Sequence, residues 1–373
     1  MDNGRKHIVF LARWYPHRYD PMFGLFVQRH AEAAALYNDI SVVYVHPDNK
    51  NDIVDETINN VRTIRVYYKK SKAKIISLFR FFRANQLALK RLPKPDIIHV
   101  HVLTRLGIIA LWHKTIHGTP YIITEHWSRY LSGNDFSGLF RKKLTKTIVK
   151  HANAVTTVTD ILAKAMQSHG LYNKNYVIVP NVVDVKIFKP VEQHNDVPKI
   201  VHISCFEDKS KNISGLLESL RILKDKNVSF QTVLIGDGMD FEAMEQKADS
   251  LQLNDKVTFT GMLQGKTLTD TLASCDLMVL SSNYETQGVV LLEAFACGLP
   301  VVSTNVSGIP EIVNDSNGIL VMPHDPEQLA NALLHMLQTY HDYDPDSLRA
   351  GIIKKFSNEA VGKLLDDIYK NIN

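Results

Sequence analysis

The chain alternates short β-rich runs with helical stretches in two successive series, and this rhythm constrains the fold more than any other feature. The first series runs from HIVFLA through ISVVYV, DIIHVHV and YIITEH to AVTTVT. The second runs from KIVHIS through FQTVLIG, KVTFTG, LMVLSS and PVVST to GILVM. Strands separated by helices are typical of parallel sheets. Since 373 residues also exceed what one hydrophobic core usually supports, we predict two α/β domains.

The predicted boundary falls in PVEQHNDVP (residues 190–198), which is polar, bounded by prolines and without apolar periodicity. The N-terminal domain then spans residues 1–189 and the C-terminal domain residues 199–355. The last stretch, residues 356–373, is predicted to be an amphipathic helix that completes the N-terminal domain. Ligands of open α/β sheets bind beyond the carboxyl ends of the strands, so we expect the chemistry in a cleft between two facing domains.

Three cysteines, Cys205, Cys275 and Cys297, are far apart and form no CxxC pair. Neither a disulfide framework nor a zinc site is therefore indicated, and a reducing cytosol is the natural setting. The early apolar run is too short for a signal-peptide core, and no run approaches the roughly 20 residues of a transmembrane helix. We expect a cytoplasmic protein that is neither exported nor membrane-spanning.

Residues 65–94 contain ten Lys or Arg and no Asp or Glu. This segment could lie on an anionic membrane with its charges at the headgroups, which would place the protein at the inner face of the membrane as a peripheral protein. The alternative is that Ile75, Leu78, Phe79 and Phe82, at helical spacing, dock on the core and leave the charges solvated. Nucleic acid is the least favoured partner, and we expect none.

Two glutamates, Glu285 and Glu293, bracket the apolar run in ETQGVVLLE. The preceding LMVLSS ends a buried strand and VVLLEAFAC is helical, so Glu285 lies before the helix and Glu293 inside it. Eight residues of helix rise about 12 Å, whereas two carboxylates that share one glycosidic bond lie about 5 to 9.5 Å apart. We predict that the two acids contact different parts of one long ligand.

If Gly288 begins this helix, the free N–H groups of Gly288, Val289 and Val290 favour an anion such as a diphosphate. Each glutamate also has an ordinary interpretation. Glu293 could be a helix acid paired with a neighbouring Lys or Arg, and Glu285 a favourable charge near the first turn.

The whole series of motifs resembles the retaining glycosyltransferases of family 4 (glycosyl transferases group 1), which have the GT-B fold. The resemblance is carried by ETQGVVLLE, AFACGLPVVSTNVSGIPEIV, GILVMPHDPEQLANAL, PMFGLFVQRHAEA, TEHWS, VIVPNVVDVKIF, KNISGLLESL and LIGDGMDFEAM, and it covers nearly the whole chain. It implies an α/β, GT-B architecture of two Rossmann-like parallel-sheet domains facing a central cleft. The N-terminal domain would bind the acceptor and the C-terminal domain the nucleotide-sugar donor.

The resemblance implies catalytic roles for Glu285, His126 and Lys211. Glu285 would face the donor sugar and stabilise the positive charge that develops on it, and Lys211 would neutralise the leaving diphosphate. His126, in TEHWS, would face the donor sugar from the N-terminal domain. Glu293 would accept hydrogen bonds from the ribose hydroxyls. An isolated lysine is usually a surface charge and an isolated histidine usually structural, so both roles depend on context.

Further residues complete the implied donor site. Gly24 would form a loop that lets acceptor and donor phosphate approach, with an ordinary turn glycine as the alternative. Gly236 belongs to a G-x-G that is a weak signal alone. Gly261 and Met262 would offer backbone groups to the nucleobase. The full implied donor-binding set is Glu293, Gly288, Val289, Val290, Lys209, Gly236, Gly261, Met262, Gly24 and Asn181.

The chain departs from the family pattern where an arginine commonly precedes the phosphate-binding lysine by six residues, because Cys205 stands there. Lys209 is a candidate replacement, although an ammonium cannot reproduce the bidentate grip of a guanidinium. Val182 replaces the usual glycine of the PNGVD-like stretch. Since no Asp-x-Asp flanked by apolar residues is present, we expect metal-independent catalysis without a cofactor.

The implied function is transfer of a hexose-type sugar from a UDP- or GDP-sugar to a saccharide or lipid-linked saccharide, in polysaccharide or glycan biosynthesis. Retention on one face of the sugar requires no enzyme nucleophile, which agrees with the lack of a close carboxylate pair. Two alternatives stay open. One is a GT-B sugar-nucleotide epimerase or hydrolase, which needs positioned acids in the N-terminal domain, and the other is a non-catalytic two-lobed sugar-binding protein.

Overall fold

The computed structural model describes residues 4–131, 136, 138–192 and 194–372. The chain divides into two compact units, with residues 1–182 and 358–373 in unit 1 and residues 183–357 in unit 2. Each unit is an α/β structure on its own sheet, as the alternating pattern predicts. Within the described residues, no helix is both long enough and apolar enough to cross a membrane.

Unit 1 contains an eight-stranded sheet, counted over its described residues. Its strands are β1 (His7–Ala12), β2 (Asp39–Asp48), β3 (Asp52–Ile58), β4 (Val61–Lys69), β5 (Ile97–His101), β6 (Tyr121–Glu125), β7 (Ala154–Thr157) and β8 (Tyr176–Ile178). The order is β3-β4-β2-β1-β5-β6-β7-β8, and all neighbours are parallel except β3 and β4. Its first helices are α1 (Leu25–Ala35), α2 (Lys74–Leu89), α3 (Leu106–His117), α4 (Leu139–His151) and α5 (Asp160–Ser168).

Strand β1 shows how this sheet is buried on both faces. Val9 and Leu11 belong to the apolar cluster that includes residues of α2, α3 and α4, whereas Ile8 and Phe10 belong to the cluster that includes residues of α1. Successive side chains of a strand point to opposite faces, and a parallel strand covered on both sides is therefore apolar throughout. This explains the uninterrupted run IVFLA.

Residues 65–94, predicted to act as one basic surface segment, divide between a strand and a helix. Arg65 lies in β4, is 7% exposed and forms an ion pair with Glu56 of β3. The helical part is α2 alone. The membrane-contact hypothesis is therefore corrected in its extent, because the first residues of the segment are held in the sheet.

Helix α2 buries a different stripe from the one that its apolar spacing suggests. Phe81, Ala84 and Ala88 are buried, while Ile75 and Phe79 are 84% and 65% exposed. The interpretation in which Ile75, Leu78, Phe79 and Phe82 dock on the core is wrong for Ile75 and Phe79, whereas Phe82 packs partly against the core. The buried face of α2 combines the small Ala84 and Ala88 with Phe81, while Ile75 and Phe79 lie on the exposed face.

Unit 2 contains a six-stranded, fully parallel sheet in the order β11-β10-β9-β12-β13-β14, counted over its described residues. The strands are β9 (Lys199–Ile203), β10 (Gln231–Ile235), β11 (Val257–Gly261), β12 (Leu277–Leu280), β13 (Val301–Thr304) and β14 (Gly318–Val321). The helices are α6 (Asp208–Lys211), α7 (Ile213–Asp225), α8 (Phe241–Ser250), α9 (Gly265–Ala273), α10 (Val289–Ala296), α11 (Pro326–Thr339) and α12 (Pro345–Phe356). This strand order is that of the Rossmann fold.

The boundary between the units lies earlier than predicted. Residues 190–198, predicted as the linker, belong to unit 2, together with the residues that precede them from Val183 onward. The backbone N–H of Val183 donates to Phe356 O at 2.9 Å, and the guanidinium of Arg349 donates to Phe188 O at 2.6 Å. These bonds to α12 hold the segment in unit 2, a long-range effect that local polarity does not reveal.

The chain returns to unit 1 in α13 (Asn358–Lys370). A Cβ atom on Gly362 would lie 2.2 Å from Ala33 O, so this glycine lets α13 pack directly on α1. Lys6 Nζ donates to Tyr369 O at 2.8 Å and to Ile372 O at 2.9 Å. The C-terminal helix is thus an integral layer of unit 1.

Candidate active site

The strand order of unit 2 reverses between β9 and β12, which are hydrogen-bonded neighbours. The loops that follow these two strands diverge at the same sheet edge, and such a switch point is where open α/β sheets bind ligands. Lys211 follows β9 at the end of α6, and Glu285 follows β12. The structure therefore brings together two of the three predicted catalytic residues.

Lys211 and Glu285 form an ion pair in which Lys211 Nζ donates to Glu285 Oε1. Ser282 Oγ donates to the same oxygen at 3.0 Å. The side chains are only 18% and 14% exposed. Burial lowers the pKa of Lys211, but the charge and hydrogen bond of Glu285 outweigh burial and leave the pKa above its ordinary value. Lys211 is therefore a cation at neutral pH.

Hydrogen bonds between the two loops hold this pair in place. Ser281 Oγ donates to Lys211 O at 2.9 Å, and the backbone N–H of Asn283 donates to Ser210 O at 2.8 Å. The amide of Asn283 also donates to Lys209 O at 3.0 Å. The lysine and the glutamate, 74 residues apart in the chain, are thus fixed on one small scaffold.

Gly288 caps the N-terminus of α10, so the prediction that it begins the helix is confirmed. Its φ is 74°, and a Cβ atom there would lie 2.8 Å from Ile309 Cδ1. The left-handed backbone favours glycine, and an added side chain would also have to displace Ile309 Cδ1. Val289 and Val290 form the first turn, where backbone N–H groups lack helical partners and the helix dipole favours an anion. We call Lys211, Glu285 and the backbone of residues 288–290 the switch-point site.

Glu293 lies within α10, as predicted, but only 5% of it is exposed. The resemblance implies that Glu293 binds the ribose hydroxyls. With so little of the residue exposed, only a small part of it can make that contact. Lys209 is exposed, and its side chain forms no ion pair with a described residue. Its proposed replacement of the missing arginine stays a prediction.

The glycines after β10 and β11 bring two loops into contact. Gly236 N donates to Gly261 O at 3.0 Å. With φ of 136°, Gly236 also approaches the loop after β9 so closely that a Cβ atom would lie 1.8 Å from Ser204 O. Met262, next along the chain, is 49% exposed. The weak G-x-G signal therefore corresponds to a real backbone constraint.

His202 in β9 is a residue that the sequence motifs did not single out. Its Nε2 lies 2.8 Å from Ser204 Oγ and its Nδ1 lies 3.0 Å from Val279 O. Burial lowers the pKa of His202 to about 4, so the ring is neutral at physiological pH. The sequence did contain a signal for His202, because it stands inside the run KIVHIS at a position where an apolar residue is expected.

His126, the third predicted catalytic residue, lies in unit 1 directly after β6. Its Nδ1 is 3.2 Å from Asn181 Oδ1, and its Nε2 is 3.3 Å from His101 Nδ1. Burial, with His30 and His99 nearby, holds the pKa of His126 well below its ordinary value. A buried, neutral ring with both nitrogens engaged favours the structural interpretation of His126 over the catalytic one.

His126 belongs to a cluster of four buried histidines in unit 1, with His30, His99 and His101. Burial keeps the pKa of each of them low, to about 4 for His30. The alternation of His99 and His101 in DIIHVHV was a usable signal, because period 2 places both rings on one face of the strand.

Gly24 caps the N-terminus of α1 with φ of 69°. A Cβ atom on it would lie 2.3 Å from Trp14 C and 2.5 Å from Tyr15 N. Glycine at this position therefore allows the start of α1 to contact the backbone of the loop after β1. Gly24 is more constrained than an ordinary turn glycine.

Two family models match the chain. The model described as glycosyl transferases group 1 matches residues 184–359, and the model described as glycosyltransferase family 4 matches residues 26–187. The two matches correspond closely to the two structural units, and together they account for nearly the whole chain.

Known proteins agree with these matches. N-acetyl-alpha-D-glucosaminyl L-malate synthase of Bacillus anthracis is 27% identical over 293 residues, 74% of this chain and 75% of the relative. The structure of sucrose-phosphate synthase from Thermosynechococcus elongatus has a TM-score of 0.81 at 21% identity, over 99% of both chains. The structure of Anabaena HepE in complex with UDP and glucose has a TM-score of 0.78 at 18% identity, over 99% of this chain and 100% of HepE.

The fold, the order of motifs and both family matches lead to one assignment: the chain is a GT-B glycosyltransferase that belongs to the glycosyl transferases group 1 family.

Proposed function

We propose that this glycosyltransferase is retaining and transfers a sugar from a nucleoside diphosphate sugar to a hydroxyl of a saccharide or lipid-linked saccharide. The observation that carries the proposal is the Lys211–Glu285 ion pair beside the N-terminus of α10. A cation and free backbone N–H groups suit a diphosphate, and a carboxylate suits the sugar next to it.

In this proposal Lys211 and the first turn of α10 bind the diphosphate. An ammonium has three donors, so Lys211 can hold Glu285 with one and phosphate oxygens with the others. Glu285 accepts hydrogen bonds from the sugar hydroxyls and stabilises positive charge at the anomeric carbon. Glu293 binds the ribose.

Transfer proceeds on one face of the sugar. The bond from the anomeric carbon to the diphosphate breaks, the acceptor oxygen bonds to the same face, and a phosphate oxygen takes the proton of the acceptor hydroxyl. Lys211 and the helix N-terminus stabilise the charge on the leaving diphosphate. The step uses no enzyme nucleophile, and metal-independent catalysis stays a prediction, which activity in excess EDTA would test.

The donor is expected to carry UDP or GDP. HepE, which shares this fold, was solved with UDP and glucose, and the Bacillus anthracis relative is named for an N-acetylglucosaminyl product. We therefore propose UDP-sugars as the first donors to test and GDP-sugars as the second.

The decisive experiment measures nucleoside diphosphate release from a panel of UDP- and GDP-sugars, with and without saccharide acceptors. We expect Glu285→Gln and Lys211→Ala each to reduce turnover at least about tenfold, roughly 1.4 kcal/mol in barrier. Lys266→Ala is the matched control, because Lys266 also pairs with a carboxylate in unit 2 but is 86% exposed on α9.

Wild-type rates in both site variants would overturn these assignments. Rapid turnover of the donor without acceptor would favour a hydrolase or epimerase. Sugar-nucleotide binding without any release of nucleoside diphosphate would favour a binding protein.

We further propose that unit 1 contacts an anionic membrane surface through α2 and the lysines before it. Ile75 and Phe79 are exposed on α2, and Lys72, Lys74 and Arg83 lie nearby in the sequence. An exposed apolar stripe with cations around it suits the interface of an anionic bilayer.

A further inference from the structure

Unit 1 contains a cavity of about 570 Å³ that the sequence motifs did not predict. Its polar walls are formed by residues that come directly after three neighbouring strands. Arg13 follows β1, residues 103–105 follow β5, and Trp127 and Arg129 follow β6. The cavity thus lies at the carboxyl edge of the sheet, where α/β folds bind ligands, and its volume is that of a small-molecule site.

Most of the lining is apolar. The apolar residues come from β2, β4, α2, α3, α4 and the segment before α4, and they include Val45, Tyr68, Phe81, Ile108, Phe136 and Leu144. Phe140 lines the cavity and is also 81% exposed, so the apolar lining continues to the protein surface. A hydrocarbon group fits this lining because its transfer from water is favourable.

Four arginines line the same cavity: Arg13, Arg105, Arg129 and Arg141. Among the described lining residues there is no carboxylate, and the other polar side chains are hydroxyls and one indole. A neutral sugar needs acceptors as well as donors, and carboxylates commonly provide them. A cavity rich in cationic donors suits an anion instead, above all phosphate.

Arg129 shows that the cationic part of the site is built into the fold. It is 8% exposed, donates to Leu103 O and to Tyr130 Oη, and lies over the Trp127 ring at 4.3 Å. Its Nε has no hydrogen-bond partner among the described residues, and the same is true of the buried Thr104 Oγ1. A buried polar atom without a partner is costly, and a bound anion would supply the acceptor that Arg129 Nε lacks.

Glu125 holds the loops that carry these groups. Its carboxylate accepts hydrogen bonds from the backbone N–H groups of Leu103 at 3.0 Å, His126 at 2.9 Å and Trp127 at 2.9 Å. Burial raises the pKa of Glu125, while Arg129 and these hydrogen bonds oppose the shift. Glu125 thus lies close to Arg129, whereas Arg13 and Arg105 of the same lining form no ion pair with a described residue.

We propose that this cavity binds the acceptor, and that the acceptor is an anionic amphiphile in which a phosphate or diphosphate joins a hydrocarbon chain to the saccharide that carries the accepting hydroxyl. The guanidinium groups bind the anion, and the chain lies along the apolar wall toward Phe140. This inference rests on the proposed glycosyltransfer, of which it specifies the acceptor class.

The test uses the full chain and three probes: farnesyl diphosphate below its micellar concentration, inorganic diphosphate and farnesol. Binding is measured by calorimetry and by tryptophan fluorescence, since Trp127 lines the cavity. We expect farnesyl diphosphate to bind at least about tenfold more tightly than either partial probe. Equal binding of farnesol or of inorganic diphosphate would overturn the proposal.

Arg105→Gln and Phe140→Ser are the test variants, because both side chains are exposed enough to be replaced without unfolding the unit. We expect each to weaken farnesyl diphosphate binding at least about fivefold. Arg91→Gln, an exposed arginine of unit 1 outside the cavity lining, is the control and should bind as the wild type does. Unchanged binding in both test variants would refute the assignment.

The two proposals fail in different ways. If nucleoside diphosphate is released with a soluble saccharide acceptor but farnesyl diphosphate does not bind, the amphiphile proposal is wrong and glycosyltransfer stands. If farnesyl diphosphate binds in the cavity but no sugar nucleotide releases its diphosphate with any acceptor, the proposed function is wrong, and with it the acceptor role of the cavity.

Discussion

The two units use the carboxyl edges of their sheets differently. Unit 2 keeps a charged pair there, Lys211 with Glu285, partly open to solvent. At the same edge of its sheet, unit 1 has arginines that line its cavity and, beside them, the buried neutral rings of His101 at the end of β5 and His126 after β6. Similar α/β scaffolds thus carry different chemistry, because function depends on the site and not on the fold.

Backbone geometry, by contrast, is similar in the two units. Gly24 lets the start of α1 touch the loop after β1, and Gly236 lets the loop after β10 touch the loop after β9. In each unit a glycine with positive φ brings a second segment against the loop of its first strand. The two units therefore share a close backbone contact made by glycine at the sheet edge, and they differ in the side chains that lie there.

Acidification should distinguish the two units most strongly. The four histidines of the unit 1 cluster are neutral when folded, because their pKa values are lowered. In the unfolded chain they take up protons near pH 6.5. The free energy of unfolding of unit 1 should therefore fall as the pH drops below about 6.5, by up to about 5 kcal/mol per pH unit. Urea unfolding followed by tryptophan fluorescence measures this, since Trp14, Trp112 and Trp127 all lie in unit 1.

Unit 2 is the internal comparison for acidification. Its buried Cys275 and Cys297 become reactive only when the unit opens, and the exposed Cys205 gives the reference rate for a dipyridyl disulfide reagent. With His202 as a single buried histidine of low pKa in its core, unit 2 should lose about a quarter as much. Equal acid sensitivity of the two units would contradict the electrostatic contrast between them.

The close backbone contacts made by glycine in both units predict the next largest effect, a loss of stability when the glycine is replaced. Gly236→Val places a Cβ atom against Ser204 O and should lower the free energy of unfolding of unit 2 by about 3 kcal/mol or more. Gly261→Ala is the matched control, since its φ is 68° but no atom lies within 4 Å of the added Cβ. In Gly261→Ala only the backbone strain of the left-handed conformation remains, which should lower the free energy of unfolding by about 1 to 2 kcal/mol.

Gly24→Val extends the same test to unit 1. It should cause a similar loss, visible by tryptophan fluorescence because Trp14 is the residue that the new side chain meets. If both valine variants unfold like the wild type, the two loops are not held by close backbone approach.

The smallest expected effect concerns the exposed apolar residues of α2 in unit 1. Replacing either Ile75 or Phe79 of α2 by serine should weaken binding to phosphatidylglycerol vesicles about fivefold, since each substitution loses roughly 1 kcal/mol of apolar burial at the interface. Co-sedimentation measures the binding, and high salt should weaken it further. Met239→Ser, at an 82% exposed position of unit 2, is the control. Wild-type chain that stays in the supernatant even at low salt would remove the membrane proposal.

Much of the switch-point site could be predicted from local sequence. Gly288 begins α10, and Glu285 and Glu293 lie before and within that helix as their spacing predicts. These features depend on the strand, turn and helix signals of one continuous stretch. The direct ion pair of Glu285 with Lys211 could not be predicted, because it depends on the adjacency of β9 and β12 in the sheet.

The cavity arginines and the histidine cluster were missed for the same reason. Arg13, Arg105 and Arg129 each follow a different strand, and no single stretch of sequence shows that they line one cavity. Helix α2 shows a second limit of prediction from sequence. Its apolar spacing indicated a helix correctly, but which stripe of it is buried depended on the sheet that it covers.

The sequence by itself determined the two α/β units, the helix start at Gly288 and the membership of a glycosyltransferase family, because periodicity, glycine placement and motif order are local or additive properties of the chain. Only the tertiary structure decided where unit 1 ends, which carboxylate pairs with Lys211, that His126 is neutral and enclosed, and that four arginines share one apolar cavity. Each of these follows from strand order and burial, which bring distant residues together and set the charge that each can carry.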